Sequence, residues 1–289
     1  MLSERLITVI GITISLNGNI GSRMSNYFSS IINEQITYLT LLTYSVAVAA
    51  ICIEKLRPAL THPIQLQPLQ NRTRRVVTNI TMHILNIGIL PLFSNAVLLF
   101  AAEQKCELLP NYPMTQVLLA ILSLDLASYA YHIMVHKFRL LWSFHRVHHI
   151  DEFLDVSSAF RFHFMENGLS VIIRYGILVA LFGLSPIGIT VYLLLESIVL
   201  IFQHSNIRLS ASAEKIIEFV FITPRLHRIH HHHELPYTDS NFGTIFTIWD
   251  RIFGTMNRGL SSKEVTIGLK DIEEQPIHRL FFLNVNRKS

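Results

Sequence analysis

Histidines at helical spacing are the residues of this chain best suited to chemistry. The 289-residue sequence contains 15 histidines. Residues three and four apart share one face of a helix, with Cβ atoms about 5–6 Å apart. Three clusters have this spacing, and each therefore aims its imidazoles in one direction. They are His132/His136, His145/His148/His149 and His227/His230/His231.

Metal binding explains these clusters better than packing does. A single histidine pair at this spacing is more often part of a polar helix face or a hydrogen-bonded core group than a set of metal ligands. Three such clusters in one chain favour metal ligands instead. Neutral imidazole suits iron, zinc and copper. A pair of metal ions about 3.5–4 Å apart needs roughly eight to ten protein ligands if open positions remain. The clusters supply eight, and we expect His204 as the ninth ligand and His163 as a tenth.

Metal-bound histidine normally donates its second ring N–H to a carboxylate, a carbonyl or water. Asp125 lies seven residues before His132, on nearly the same helix face, and is the first candidate for such a partner. The alternative is that Asp125 lines a helix–helix contact. The weaker candidates are Glu166, Asp151, Asp155 and Asp239.

The composition places the chain in the membrane class. Half of the residues are hydrophobic and only 15 % are charged, which is too apolar for an ordinary soluble domain. The formal net charge of +4 reflects basic residues gathered beside apolar runs, and nothing in the pattern indicates nucleic acid. The two cysteines, Cys52 and Cys106, lack metal-site spacing.

Apolar runs predict how the chain crosses the membrane. A spanning helix needs about 20 mostly apolar residues. The candidates are 36–53, 77–101 and 114–135, followed by a hairpin of two shorter runs, 168–184 and 186–202. We predict an all-α integral-membrane bundle of about four transmembrane helices, in two hairpins, with a histidine-rich helical cap. Residues 1–35 are expected to be a surface segment, 36–258 the membrane-embedded domain and 259–289 a tail.

Basic residues in the loop 54–76 predict a cytoplasmic location for that loop by the positive-inside rule. The hairpin then returns the chain to the same leaflet, so all three clusters meet on the cytoplasmic side. Within the hairpin, Arg174 and Glu196 each lie 11 residues from Ser185. Ionisable residues inside membrane segments are usually paired or functional. We expect an Arg174–Glu196 ion pair, with a catalytic role for Glu196 as the alternative.

The sequence around the clusters resembles the fatty acid hydroxylase/sterol desaturase superfamily over about residues 121–255. That family carries a His-x-x-x-His box, a nearby His-x-x-His-His box and a second His-x-x-His-His box beyond a membrane hairpin. The matching surroundings are Asp125, Tyr129, Leu141-Trp142, Arg161-Phe162-His163, Gln203 to Asn206, Asn241 to Gly243 and Trp249 to Thr255.

The resemblance implies two iron ions, which zinc would replace in some preparations, and dioxygen as co-substrate. It implies hydroxylation or desaturation of a lipid or sterol at the metal centre, without another catalytic residue. A separate donor of the cytochrome b5, ferredoxin or rubredoxin type would supply electrons. The sequence favours, weakly, a bacterial inner membrane. The alternatives are sterol desaturation, cleavage of an alkylglycerol ether, a metal-binding or transport protein, and an inert scaffold.

Overall fold

The computed structural model describes residues 38, 40–60, 69–103, 113–176, 184, 186–270 and 275–281. The chain divides into two compact units, Met1–Val46 and Ala47–Ser289. In the first unit, residues 40–46 are helical. The expected surface segment 1–35 lies outside the described residues, as do residues 271–274 and 282–289 of the predicted tail 259–289.

The second unit is built from helices and carries the histidine clusters. These helices are α1 (47–56), α2 (Leu69–Glu103), α3 (Pro113–Lys137), α4 (Arg139–His149), α5 (Phe164–Ser170), α6 (Pro186–His204), α7 (Ala211–Ile217), α8 (Pro224–His230), α9 (Ile248–Ile252) and α10 (Ile277–Leu280). A 3₁₀ turn covers Val156–Phe160, and a π-helical turn, Val171–Gly176, continues from α5. The described residues form isolated β-bridges but no strand, in agreement with the predicted all-α class.

Two helices are long and apolar enough to cross a membrane, Met114–Lys137 within α3 and Ile187–His204 within α6. The 24 residues of the first extend for about 36 Å, which exceeds a hydrocarbon core of about 30 Å. The other predicted spans, over 36–53, 77–101 and 168–184, are not among the helices that meet this test in the described part of the chain. The four-helix arrangement and the cytoplasmic cap therefore stay predictions.

The core between the two spans is apolar and tightly packed. Its buried members are Ala120, Leu124, Leu184, Tyr192, Val199 and Ile245. A glycine lets a third helix come close, because a Cβ on Gly168 of α5 would lie 2.6 Å from the ring of Phe93 in α2. The close contact of α2 with α5 thus requires a residue without a side chain at this position.

Two local signals position the second half of the histidine clusters. Phe138 separates α3 from α4 with extended backbone angles, φ −91° and ψ 120°, so α4 starts in a new direction and turns its histidines toward those of α3. Thr223 caps α8 by accepting a hydrogen bond from the Leu226 N–H, and Pro224 occupies the first turn, a position that proline favours.

Candidate metal centre

Nine histidines converge from four parts of the fold into two groups. The last turns of α3, the end of α4, the end of α6 and the end of α8 supply them. The first group is His132, His136, His145, His149 and His230, and the second is His148, His204, His227 and His231. Within each group the possible ligand atoms lie within 4.8 Å of one another. Eight of the nine side chains belong to buried residues, and His132 is partly buried.

The two groups are adjacent. The rings of His149 and His231, which belong to different groups, stack with centroids 4.2 Å apart. The consecutive residues His148 and His149 also fall in different groups, with centroids 5.7 Å apart. The arrangement therefore offers two neighbouring positions for metal ions rather than one large site.

Five of the histidines are oriented by an acceptor at Nδ1. The pairs are His132 with Phe242 O (2.9 Å), His145 with Glu166 Oε1 (2.6 Å), His148 with Arg161 O (3.0 Å), His204 with Leu200 O (2.8 Å) and His230 with Ser240 O (2.8 Å). A carbonyl oxygen only accepts hydrogen bonds, so Nδ1 carries the proton in the four carbonyl-bound rings. Their Nε2 atoms then present lone pairs to the centre.

The distances between these Nε2 atoms indicate whether a cation fits between the rings. The Nε2 atoms of His148 and His204 lie 3.0 Å apart, although both rings already carry their proton on Nδ1. His227 Nε2 lies 2.9 Å from His204 Nε2, and His231 Nε2 lies 3.1 Å from His148 Nε2. Two facing lone pairs repel each other unless a proton or a metal ion lies between them. The donor set therefore fits a bound metal.

The first group also contains a buried nitrogen atom that a metal ion would satisfy. His230 Nε2 is buried and has no hydrogen-bond partner among the described residues. Its Nδ1 is bonded to the Ser240 carbonyl, so the bare lone pair of Nε2 faces the other histidines of the group. A metal ion would satisfy this atom at no cost in protein hydrogen bonds.

Burial keeps the imidazoles neutral. It lowers the pKa of His148, His149, His227 and His231 well below the usual value, and neighbouring histidines lower it further. Burial also lowers the pKa of His230 to about 3. Neutral imidazole is the metal-binding form, so protons do not compete strongly for these rings at neutral pH.

Two carboxylates lie directly behind the histidines. Glu166 accepts the hydrogen bond from His145 Nδ1 at 2.6 Å, and its second oxygen, Oε2, is buried without a partner in the described part of the chain. Asp239 Oδ1 lies 3.3 Å from His136 Nδ1, while its Oδ2 accepts from Lys137 at 2.7 Å. Both are placed to fix a ring and to raise its basicity.

His163 lies outside both groups. Its Nδ1 accepts a hydrogen bond from the Met165 N–H at 3.1 Å, which makes it the N-cap of α5. Its ring packs against Phe144 at 4.9 Å and Phe164 at 4.6 Å. The structure thus gives the expected tenth ligand a capping and packing role instead.

Asp125 also has partners other than a histidine. It accepts hydrogen bonds from the N–H groups of Ile245 (3.0 Å) and Phe246 (3.2 Å) and from the indole of Trp249 (2.8 Å). His132, its expected partner, bonds to the Phe242 carbonyl. Asp125 therefore attaches the segment 245–249 to α3, which corresponds to the alternative of a contact-lining residue.

Arg174 and Glu196 lie close together, with Arg174 Nη1 2.7 Å from Glu196 Oε1. Ser128 accepts from Arg174 Nη1 at 2.6 Å, and Tyr192 donates to Glu196 at 2.8 Å. Ser128 and Tyr192 are also within 2.6 Å of each other. The four side chains form a polar cluster in which the charges of Arg174 and Glu196 compensate each other.

Comparison with known proteins agrees with this geometry. The family model described as fatty acid hydroxylase matches residues 117–255, which contain all nine converging histidines. Residues 117–255, just under half of the chain, are thus similar to fatty acid hydroxylases, and we name this region the hydroxylase domain.

Curated relatives are similar to this chain over part of its length. An ornithine lipid hydroxylase of Rhizobium tropici is 29 % identical over 160 residues, which cover 55 % of this chain and 47 % of the relative. An alkylglycerol monooxygenase of Danio rerio is 31 % identical over 137 residues, 47 % of this chain and 29 % of the relative. A cholesterol 25-hydroxylase of Rattus norvegicus is 24 % identical over 176 residues, 61 % of this chain and 58 % of the relative. The chain spans less than two thirds of each relative, and no solved structure matches it significantly.

Sequence reasoning missed the support that α2 gives the hydroxylase domain from outside it. Arg75 Nη1 lies 3.0 Å from Asp151, just after the second histidine cluster. Asn79 donates to Asp151 at 3.1 Å and accepts from Arg161 at 3.1 Å, and Arg161 in turn donates to Val147 O at 2.7 Å. Burial alone would raise the pKa of Asp151, but Arg75 and Arg161 outweigh it and hold that pKa below the usual value.

The loop expected over 54–76 is accordingly shorter than predicted, since α2 begins at Leu69 and Arg75 is buried. The sequence contains a pattern that indicates this polar helix face. Arg75, Asn79 and Asn86 are four and seven residues apart, and thus share one helix face. Asn86 continues the polar contacts by donating to Phe162 O at 2.8 Å.

Proposed function

We propose that this protein is a membrane-bound non-haem diiron oxygenase that hydroxylates a lipid. The observation that supports this most strongly is the pair of adjacent histidine groups, in which the Nε2 lone pairs of His148 and His204 face each other at 3.0 Å. Membership of the matched region in the fatty acid hydroxylase family adds the expectation of iron.

The nine clustered histidines would hold two iron ions, five around one and four around the other. When bound, such a pair supplies reductive activation of dioxygen and cleavage of an unactivated C–H bond. One oxygen atom ends in the product hydroxyl group and the other in water. Electrons and protons must therefore come from outside, and a donor of the cytochrome b5, ferredoxin or rubredoxin type completes the proposal.

In this proposal the protein orients the metal ligands and sets the distribution of charge around the ions. Backbone carbonyls hold four rings, and Glu166 holds His145, so their lone pairs stay directed inward. Imidazole ligands bring no negative charge to the ions, and the carboxylates of Glu166 and Asp239 lie behind the rings. This arrangement of the protein groups would leave the positive charge of bound ions largely uncompensated on the side away from the carboxylates.

The fold supports a substrate taken from the bilayer. Both candidate spans end in the centre, α3 through His132 and His136 and α6 through His204. A lipid chain lying along these helices reaches the histidines without leaving an apolar environment. The named relatives act on ornithine lipids, alkylglycerols and cholesterol, and hydroxylation is our first choice, ahead of ether cleavage or desaturation. We place the centre on the cytoplasmic side, in a bacterial inner membrane.

The experiment combines metal analysis with substrate turnover. We would replace His230 from the first group and His148 from the second by Ala, and use His278→Ala as the matched control, since His278 is exposed and lies outside both groups. The purified proteins would be assayed for bound iron, and for hydroxylated lipid in cells that express them.

Both site variants should lose iron and product, whereas the control should keep both. Full iron and activity in His148→Ala and His230→Ala would refute the proposed centre. Iron binding by the wild type without dioxygen consumption, with any extracted lipid fraction and a reducing system, would instead favour a metal-binding protein.

A further inference from the structure

Two neighbouring segments of the hydroxylase domain expose a cluster of large apolar side chains outside the candidate spans. One segment covers 216–220, at the end of α7 and just after it, and the other covers 248–253, through α9. The members of this apolar surface are Ile216, Phe219, Val220, Ile248, Ile252 and Phe253. Ile216, Phe219 and Ile252 are 72 %, 70 % and 61 % exposed. A contiguous exposed apolar surface of this kind marks an interaction site.

Backbone and side-chain contacts join the two segments into one surface. The Thr247 N–H donates to Val220 O at 3.0 Å, and Arg251 Nη2 donates to Glu218 O at 2.7 Å. The guanidinium of Arg251 also lies over the Phe219 ring, 4.9 Å from its centroid. The relative position of the exposed side chains is therefore fixed by the fold.

The apolar surface is attached to α3 below the histidines, beside the membrane-spanning part of that helix. Asp125 receives the hydrogen bonds from Ile245 and Trp249 described above, and the Tyr129 ring stacks on Phe253 with centroids 5.4 Å apart. Asp125 precedes His132 by seven residues, or about 10 Å along the helix axis. The segment 245–253 thus lies closer to the middle of the span than the metal centre does.

Basic groups occur at the margin of the apolar surface. Lys215 is exposed beside Ile216, and Arg251 keeps its charge above the Phe219 ring. Long basic side chains next to exposed aromatic and aliphatic ones are typical of surfaces that lie in the membrane interface, where the charge reaches lipid headgroups and the apolar groups enter the acyl layer.

We propose that this surface dips into the lipid layer beside α3, with Phe219, Ile252 and their neighbours among acyl chains and Lys215 and Arg251 at headgroup phosphates. Its continuity with the apolar outside of a span favours lipid as the occupant. Interfacial segments of this kind bury their apolar face about 5–10 Å into the headgroup and acyl boundary. The inference does not depend on the oxygenase reaction, because it concerns where the domain sits in the membrane.

Spin labels measure this placement directly. The chain has two cysteines, Cys52 and Cys106, which would be replaced by Ser. Labels would then be attached to Phe219→Cys or Ile252→Cys in the full chain reconstituted into phosphatidylcholine/phosphatidylglycerol vesicles. Leu235→Cys is the matched control, since Leu235 is also apolar and 55 % exposed but follows the third histidine cluster. A circular dichroism spectrum like that of the wild type verifies that each labelled protein is folded, and Ile216→Cys replaces any variant that fails this check.

Accessibility to dioxygen, which concentrates in hydrocarbon, would be compared with accessibility to a water-soluble nickel chelate. We expect the dioxygen-to-nickel ratio at positions 219 and 252 to exceed that at 235 several-fold. Equal ratios at all three positions would overturn the proposal. Labels at 219 and 252 that both reagents fail to reach would also overturn it, because a second copy of the chain would then cover the surface.

Discussion

Two polar clusters, the histidine centre and the cluster around Arg174 and Glu196, differ in how their charges and lone pairs are compensated. The second cluster is complete in charge, because Arg174 and Glu196 pair with each other, with contacts of 2.6–2.8 Å among four side chains. The histidine centre instead leaves buried nitrogen atoms unsatisfied and lone pairs facing each other. A cluster that is complete without a ligand serves stability, whereas an incomplete one requires a ligand.

Removing one charge should break the complete cluster most severely. Glu196→Leu leaves Arg174 as a buried charge without its counterion, at a cost of about 3–5 kcal/mol in the free energy of unfolding. Thermal unfolding in detergent would measure this cost. The double variant Arg174→Met/Glu196→Leu should recover much of the lost stability, since no isolated charge remains. Equal destabilisation by the single and double changes would contradict the difference drawn between the clusters.

Removing metal should affect the histidine centre alone. A ligand present at a hundred times its dissociation constant stabilises the folded state by about 2.7 kcal/mol. Chelation of iron should therefore lower the unfolding temperature of the wild type. The same decrement in Arg174→Met/Glu196→Leu would show that the two clusters contribute additively to stability. If a chelator leaves the unfolding temperature unchanged, bound metal does not stabilise the folded state.

A smaller effect is expected from the carboxylate behind His145. Glu166→Gln removes the negative charge that holds this ring, and loss of such a partner lowers metal affinity roughly 10–100-fold. Competition with a chelator of known affinity would measure the change. Glu264→Gln, an exposed glutamate distant in sequence from the clusters, is the control and should bind iron like the wild type.

The smallest effect should come from a single hydroxyl of the complete cluster. Tyr192→Phe removes the group that lies between Ser128 and Glu196, at a cost of about 1 kcal/mol. Iron affinity should not change. A loss of iron comparable to that in Glu166→Gln would show that the two clusters are coupled, and the comparison would have to be redrawn.

The sequence predicted which histidines converge far better than it predicted which groups accept hydrogen bonds from their rings. Spacings of three and four identify the eight box residues because the helix geometry that brings them together is local. The acceptors for four rings are backbone carbonyls, such as Phe242 O and Ser240 O, and every residue carries a carbonyl. No residue type therefore marks these positions.

Long-range placement explains why two of the expected site residues have other partners in the structure. Asp125 shares a helix face with His132, yet the segment 245–249 comes between them in the fold and takes its hydrogen bonds. His163 has the right residue type, but its backbone position at the start of α5 turns its nitrogen toward Met165. Neither outcome follows from spacing along one helix, because both depend on residues distant in sequence.

His148 and His149 are consecutive but belong to different groups, and so do His230 and His231. If each group binds an ion as proposed, one peptide unit on α4 and another at the end of α8 would set the separation between the two ions. An ion bound in one group would then hold the neighbouring histidine in position for the other. Loading of the pair should consequently be cooperative, with the half-filled protein a minor species during titration with iron.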